Sequence, residues 1–553
     1  MISRNPDKPG KVVRILPGIL LLILLFLFIL QFAGGWYLER EIRHALKSME
    51  GPVAIELENV HVRLIRRSVK LEGLALTLRN KRDTLVNFRA EELNVTGIRA
   101  LKYLRSKELH IGSVEILHPD LNGKMNIQDE ILPLFSDALK NDSLGEPGGM
   151  ERFVLGRVTI SGGNINIRDV MGKIPAVNLS SIQLDLRNIC YHAGNASPDL
   201  RVVYEDLTLH TGAGDIFLPE GFYGLKFDRT TFCSAGSFFE MDALQLTPAY
   251  GKYEFGRIHG KQTDRFDVDV SNIRARGLDY AAMLEGRVRV RKFSVEGGNV
   301  LIFRDKNIPF DHSIYPPLIR TALMNVPFAV TMDTIEITDS YVQYEEELPL
   351  AEGPGMVYFS DMDVRVFHLS NRPDDHADFP SMHIHAQAKL MGQGRVSLLL
   401  DLPMDIPRDT FSFYGKLARI DFKEMNPMTI PNAHLRLLSG IADSLIFSAR
   451  ANNDHARGII TMVYHDLSFE VLNKKKGHAR RSGFVSFMSN AFVRKNNPRG
   501  NRDPKVAEMF FLRDKNKGMP NFVWKTLLSG IKATVLPGHR ANASAGEVES
   551  GTH

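Results

Sequence analysis

The residues best suited to chemistry lie between positions 374 and 385. Asp374, Asp375, His376, Asp378, His383 and His385 bring carboxylates and imidazoles close together. His383 and His385 fall on one face of an extended run, a spacing that zinc accepts. Pro373, Pro380 and the crowded acids read instead as a solvated loop leading into a strand. No GxxxxGK[ST], HExxH, GxSxG or CxxC pattern occurs, and Gly392 and Gly394 form a lone pair that fits a turn. His455 and His465 read as strand or surface residues. Cys190 and Cys233 are the only cysteines, too few for a disulfide framework or a Cys-rich metal site. Whether they pair stays open. No catalytic residue, metal site or cofactor is assigned, and an enzyme is not expected.

The elements around these residues are strands. The chain has 553 residues, 44% hydrophobic and 24% charged, with 44 Gly and 27 Pro. Such an ordinary globular composition excludes collagen, coiled-coil and wholly disordered chains. Val53, Ile55 and Leu57 alternate with polar residues, as do Val60, Val62 and Leu64, then Leu74, Leu76 and Leu78. A period of two marks strands with one apolar and one wet face. Short helices are expected only at 37–49 and 129–140 before the C-terminal end.

A unit recurs: apolar, x, apolar, x, x, turn residue, x, apolar. It fits Val114-Ile116-Pro119-Leu121, Val158-Ile160-Gly163-Ile165, Phe293-Val295-Gly298-Val300 and Ile335-Ile337-Ser340-Val342, at spacings of 44, 135 and 42 residues. Val69, Leu71, Leu74 and Leu76 form a weaker copy without a turn residue. Each copy reads as a strand, a kink and a second strand. Plain β-sandwich hairpins are the alternative. Some 430 residues of such chain make about 30 strands, which as one ribbon at ~4.8 Å per strand would approach ~140 Å. A curled ribbon with an apolar inner face makes a groove suited to hydrocarbon chains. The groove candidates are Val158, Ile160, Ile165, Ile167, Val295, Val300, Ile302, Ile335, Ile337 and Val342. A kink can swap faces, so their sharing one face is provisional.

The two ends differ from the body. Residues 15–32 are an almost unbroken Leu/Ile/Phe run, preceded by Arg4, Lys8, Lys11 and Arg14 and closed by Trp36 and Tyr37. Extended to Tyr37 it is long enough, at about 1.5 Å per residue, to cross a hydrocarbon core of roughly 30 Å. Ala33-Gly34-Gly35 would fit signal-peptide cleavage, but the run is long for a signal of about 7–15 apolar residues. A retained single-pass signal-anchor is expected, with the N-terminus cytoplasmic and the rest outside. At the other end, residues 474–540 hold 16 Lys and Arg against three acids, a net +13, while the remainder has 53 basic and 61 acidic residues, a net −8. Such a basic end needs an anionic partner or surface.

Residues 474–520 read as loops or linker, and 522–536 as an amphipathic helix. Trp524, Leu527, Leu528, Ile531 and Val535 form its stripe, with Lys525 and Lys532 off it. The helix either caps the last sheet or lies on an anionic membrane surface, in which case Trp524, Lys525, Leu527, Leu528, Ile531 and Lys532 make the contact. Nucleic acid is not expected as a partner outside the cytoplasm. The expected organisation is a cytoplasmic N-terminus and span at 1–38, a β-rich body at 39–473 and a basic tail at 474–553. The body divides into a module at about 39–150, repeats at about 151–410 and a C-terminal module at about 411–473.

A signal-anchor followed by Phe88-Arg-Ala-Glu-Glu-Leu-Asn-Val, a Leu-rich link (Leu101, Leu104) and Leu109-His-Ile-Gly-Ser-Val-Glu-Ile-Leu-His-Pro-Asp-Leu resembles the AsmA-like family of bacterial envelope proteins. Gly415-Lys-Leu-Ala-Arg-Ile-Asp-Phe, Pro431, Gly440-Ile-Ala-Asp-Ser-Leu and Arg457-Gly-Ile-Ile-Thr-Met-Val-Tyr-His-Asp-Leu resemble its C-terminal segment. The resemblance covers about residues 10–475 and most of the tail, and rests on patterns rather than catalytic motifs. It implies an elongated, groove-bearing β structure in the periplasm, anchored in the inner membrane. It also implies a role in moving phospholipid to the outer membrane or maintaining that membrane. The expected fold is therefore mainly β: a transmembrane helix, a curled, quasi-repetitive antiparallel groove and a C-terminal amphipathic helix. The expected function is non-enzymatic binding of phospholipid or another acyl lipid, with outer-membrane or envelope proteins open as partners. A scaffold that holds envelope partners without transferring lipid is the alternative.

Overall fold

The computed structural model describes residues 34–47, 53–80, 83–99, 102, 105–125, 152–169, 175–192, 202–218, 221–349, 351–372, 375, 380–473, 480–481 and 493–536. The expected span up to residue 33 and the expected helix at 129–140 lie outside these residues. Among the described residues no helix is long and apolar enough to cross a membrane. The chain is mainly β, with 26 strands described. It divides into two compact units, one running to Phe217 and including Arg229–Gly236, the other taking Leu218–Asp228 and everything from Ser237.

In the first unit helix α1 (Gly35–Lys47) precedes β1 (Val53–Glu56), β2 (Asn59–Arg63), β3 (Ser68–Asn80), β4 (Asp83–Thr96), β5 (Glu108–Leu117) and β6 (Asp120–Met125). Then follow β7 (Arg152–Asp169), β8 (Pro175–His192), β9 (Val202–Val203), β10 (Asp206–Thr211), β11 (Gly214–Phe217) and β13 (Thr230–Cys233). Glu39 of α1 accepts the Val62 amide of β2 at 2.7 Å. Alternating Val and Leu favour a pleated, half-buried surface, so these segments pair as strands. β1 and β2 pair with β3, β3 with β4, β4 with both β5 and β6, β7 with β8, and β8 with β10 and β11, all antiparallel. The joint between β5/β6 and β7 is parallel.

The second unit holds β12 (Tyr223–Phe227), β14 (Phe238–Pro248), α2 (Lys252–His259), β15 (Asp264–Leu278), α3 (Tyr280–Leu284) and β16 (Arg287–Asp305). It continues with α4 (Ile319–Met324), β17 (Ala329–Glu347), β18 (Gly355–Ser370), β19 (Ser381–Leu390), β20 (Gly394–Pro403) and β21 (Thr410–Leu417). It ends with β22 (Ile420–Asp421), α5 (Asn426–Ala433), β23 (Leu435–Asn452), β24 (His455–Asn473), β25 (Arg480–Arg481), β26 (Val506–Leu512) and α6 (Met519–Val535). Its main path is β12-β14-β15-β16-β17-β18-β19-β20-β21-β23-β24-β26, antiparallel except at β16/β17, which is parallel.

The sheet is antiparallel as expected except at these two parallel joints, and the recurring units explain them. Units 44 residues apart lie side by side, Val114 opposite Val158, Ile116 opposite Ile160 and Leu121 opposite Ile165. Units 42 apart do the same, Phe293 opposite Ile335, Val295 opposite Ile337 and Val300 opposite Val342. Copies of one pattern laid in register must run parallel, and a parallel pair needs a crossover.

Each copy bends at a left-handed residue one place before the turn position: His118 (φ 45°), Gly162 (φ 73°), Gly297 (φ 71°) and Asp339 (φ 51°). The weak copy bends at Gly73 (φ 61°), so it carries its kink after all. Gly162 cannot be replaced freely, because a Cβ there would lie 2.5 Å from the His118 ring. The stretch expected as linker, 474–520, contains β25 and β26, and β26 pairs with β24.

Candidate lipid-binding faces

Cross-strand neighbours sort the first sheet into two chemically distinct faces. One row runs Val60, Leu71, Leu93, Ile116, Ile160, Leu184, Leu209 and Phe232 from β2 to β13. Beyond the kinks another runs Ile55, Leu76, Phe88, Leu121, Ile165 and Leu179. The kink does not swap faces. A Cβ on Gly163 would lie 3.2 Å from Ile160 and 3.3 Å from Ile182, so the left-handed residue absorbs one step and alternation resumes on the same side. The opposite face is wet. Lys70 reaches Glu72 (2.9 Å) and Glu92 (2.8 Å), and Arg157 forks onto Asp185 at 2.8 and 2.9 Å. Arg157, then Arg187, hold the Asp185 carboxyl below the usual range against the effect of burial.

The second unit has a longer row: Phe239, Ala275, Phe293, Ile335, Val366, Ile384, Leu400, Phe413, Ala449, Gly458 and Met509. Its middle, from Phe293 to Ile384, is half-buried, whereas Phe413 is 1% exposed and Met509 0%. Leu318, leading into α4, and Phe522 of α6 join the buried cluster that closes this end. Towards the other strand ends the face continues through Val300–Val342 and Ile302–Tyr344. It finishes in a polar rim, where Arg304 forks onto Asp264 at 2.7 Å on both oxygens and Lys306 meets Glu346 at 2.9 Å. Burial pushes the Tyr344 phenol far above its ordinary value.

All ten groove candidates are half-buried, neither in the core nor freely exposed. Val158, Ile160, Ile165 and Ile167 share the apolar face of the first unit. Val295, Val300, Ile302, Ile335, Ile337 and Val342 share that of the second.

The helix stripe is corrected in part. Fully buried positions of α6 are Phe522, Thr526, Gly530, Ala533 and Thr534, and a Cβ on Gly530 would lie 2.4 Å from Ile460 and 2.5 Å from Met509. Leu527 and Ile531 pack against the same core, so they are not free to meet a membrane. Trp524 (45% exposed) and Lys532 face outward, and Lys525 and Leu528 are half-buried. Small residues let the helix sit close to the sheet, a signal that a search for large apolar residues passes over. Its start at Met519 precedes the expected 522 because Pro520 is tolerated in the first helical turn.

Of the acid–histidine cluster, Asp374, His376 and Asp378 lie outside the described residues, and the other three have separate partners. His383 bonds Asp401 on the neighbouring strand at 2.9 Å, His385 packs edge-on against Phe367, and Asp375 accepts from Ser370 and Thr331 at 2.7 and 2.8 Å. Among the described residues no three metal-binding side chains converge. Cys190 and Cys233 are free thiols, placed opposite Val203 and Thr208 respectively. No protein-family model and no curated protein matches the chain.

Proposed function

We propose that this chain is a non-enzymatic lipid-binding protein of the AsmA-like type. In this proposal it is held in the bacterial inner membrane by residues 15–37, with its bulk periplasmic, and it contributes to phospholipid transport to the outer membrane or to envelope assembly. The observation that carries the proposal is the apolar row from Val60 to Phe232, unbroken by any polar side chain and half-buried along most of its length. A packed core would bury such a row, and a water-facing sheet would not carry it. Half-buried hydrocarbon rows beside a polar rim such as Arg304–Asp264 match what acyl chains with polar headgroups require.

The test is mass spectrometry of lipids that stay with the purified full chain, wild type against Ile165→Asp and Val300→Asp. Acyl lipids should accompany the wild type and fall severalfold in both folded variants, because a carboxylate set among hydrocarbon is strongly disfavoured. Equal lipid in all three proteins would refute acyl binding at these positions. A wild type carrying no lipid would favour the scaffold.

A further inference from the structure

We propose that the face of β20, β21, β23, β24 and β26 opposite the core docks on an anionic lipid bilayer surface. Along much of these strands buried and exposed positions alternate, and the exposed ones include large apolar residues beside Lys416, Ser448, Arg450, Arg457 and Glu508. Val506 is 57% and Ile459 54% exposed, and Leu399, Tyr414 and Ile446 are also exposed. Runs apolar at successive positions, such as Leu398-Leu399-Leu400, Leu445-Ile446-Phe447 and Ile459-Ile460, belong to strands covered on both faces. Here α6 lies on one face only, over Ile460 and Met509.

The cations of this face identify its partner. Arg450 and Arg457 stand directly opposite each other on β23 and β24, and like charges so placed repel. Lys416 lies opposite Ile446, and Arg457 stacks over Phe510 at 5.6 Å. Among the described residues none of Lys416, Arg450 and Arg457 forms an ion pair, although cations on the wet face of the first unit do. Five strands at about 4.8 Å make a patch about 20 Å wide, with apolar side chains, Leu399 beside Tyr414 among them, spread between the cations and the acid Glu508. That is the composition of a surface resting in a headgroup layer, whereas a protein hot spot clusters its apolar anchors. A second copy would set Arg450 and Arg457 against their equals. The segment 474–492 of the chain is itself basic and would be repelled.

The full chain, held in neutral phosphatidylcholine nanodiscs, is offered fluorescent phosphatidylcholine vesicles with or without phosphatidylglycerol. Capture should require phosphatidylglycerol and weaken in salt. Arg450→Glu with Arg457→Glu should reduce it about tenfold. Ile459→Ser with Val506→Ser should remove the part that survives high salt. Arg66→Glu with Arg105→Glu, an equal charge change in the first unit, should leave capture intact. Arg450→Gln alone should raise the melting temperature of the lipid-free protein by relieving the repulsion. Equal capture of neutral vesicles, or equal loss with the control pair, overturns the proposal. So does a lowered melting temperature for Arg450→Gln. Patch variants that only change the oligomeric state would assign the face to a second copy. Capture of polyglutamate beads without vesicles would assign it to an acidic polypeptide.

Discussion

The sheet of the first unit and the β20–β26 end of the second are built from the same alternating strands, but among the described residues only the second has a closed core. In the first, the row through Ile116, Ile160 and Leu184 is half-buried, and the helix contacts described are those of α1 at its β1–β2 edge. In the second, the row through Phe413, Ala449 and Met509 is sealed by α6 and by the segment entering α4. Strand hydrophobicity does not separate the two. What separates them is a helix lined with Thr526, Gly530 and Ala533, residues small enough to settle onto the strands. An amphipathic sheet without such a cover stays open, and an open apolar face is available to hydrocarbon from elsewhere.

Truncating one large side chain in each region tests the contrast most strongly. Phe413→Ala should cost about 3–5 kcal/mol, since it leaves a cavity in a closed core. Ile165→Ala should cost only about 1–2 kcal/mol, because a half-buried side chain loses less and leaves no sealed void. Denaturant melts of the two variants check this, and equal losses would erase the distinction. Next comes Gly530→Val, which places carbon where Ile460 and Met509 already stand. It should destabilise the second unit by about 1–3 kcal/mol and leave lipid retention by the first unit unchanged. Loss of both would show that the regions are not independent.

The smallest effect is electrostatic. The folded-state pKa of Asp185 lies below its unfolded value, so its contribution is complete above about pH 4 and is lost as the pH falls through the folded value. Asp185→Asn should therefore flatten the pH dependence of melting below about pH 4 and leave β20–β26 unaffected.

Much of this was legible in the residues. Period-two alternation marked the strands, and spacings of 44 and 42 residues marked pairs that the structure lays in register. That the pairs run parallel follows once the copies lie in register, but the spacing alone does not say that the copies are neighbours in the sheet. Strand β26 was hidden by its setting, seven residues between Pro504 and Arg513 in a basic stretch. The inner face of α6 was hidden because glycine, alanine and threonine bury as well as leucine when the approach is close. His383 and Asp375 were close in sequence, but separate strand partners draw them apart.

The position of α6 in the chain also sets a schedule. The helix that seals the β20–β26 core begins at Met519, 46 residues after β24 ends at Asn473. At about 5–20 residues per second, a ribosome needs roughly 2–10 s to cover that stretch. Throughout that interval Phe413, Phe447 and Ile460 lack the helix that will cover them. The nascent chain thus passes through a vulnerable period of seconds, when a chaperone must hold this surface or the strands must wait uncovered.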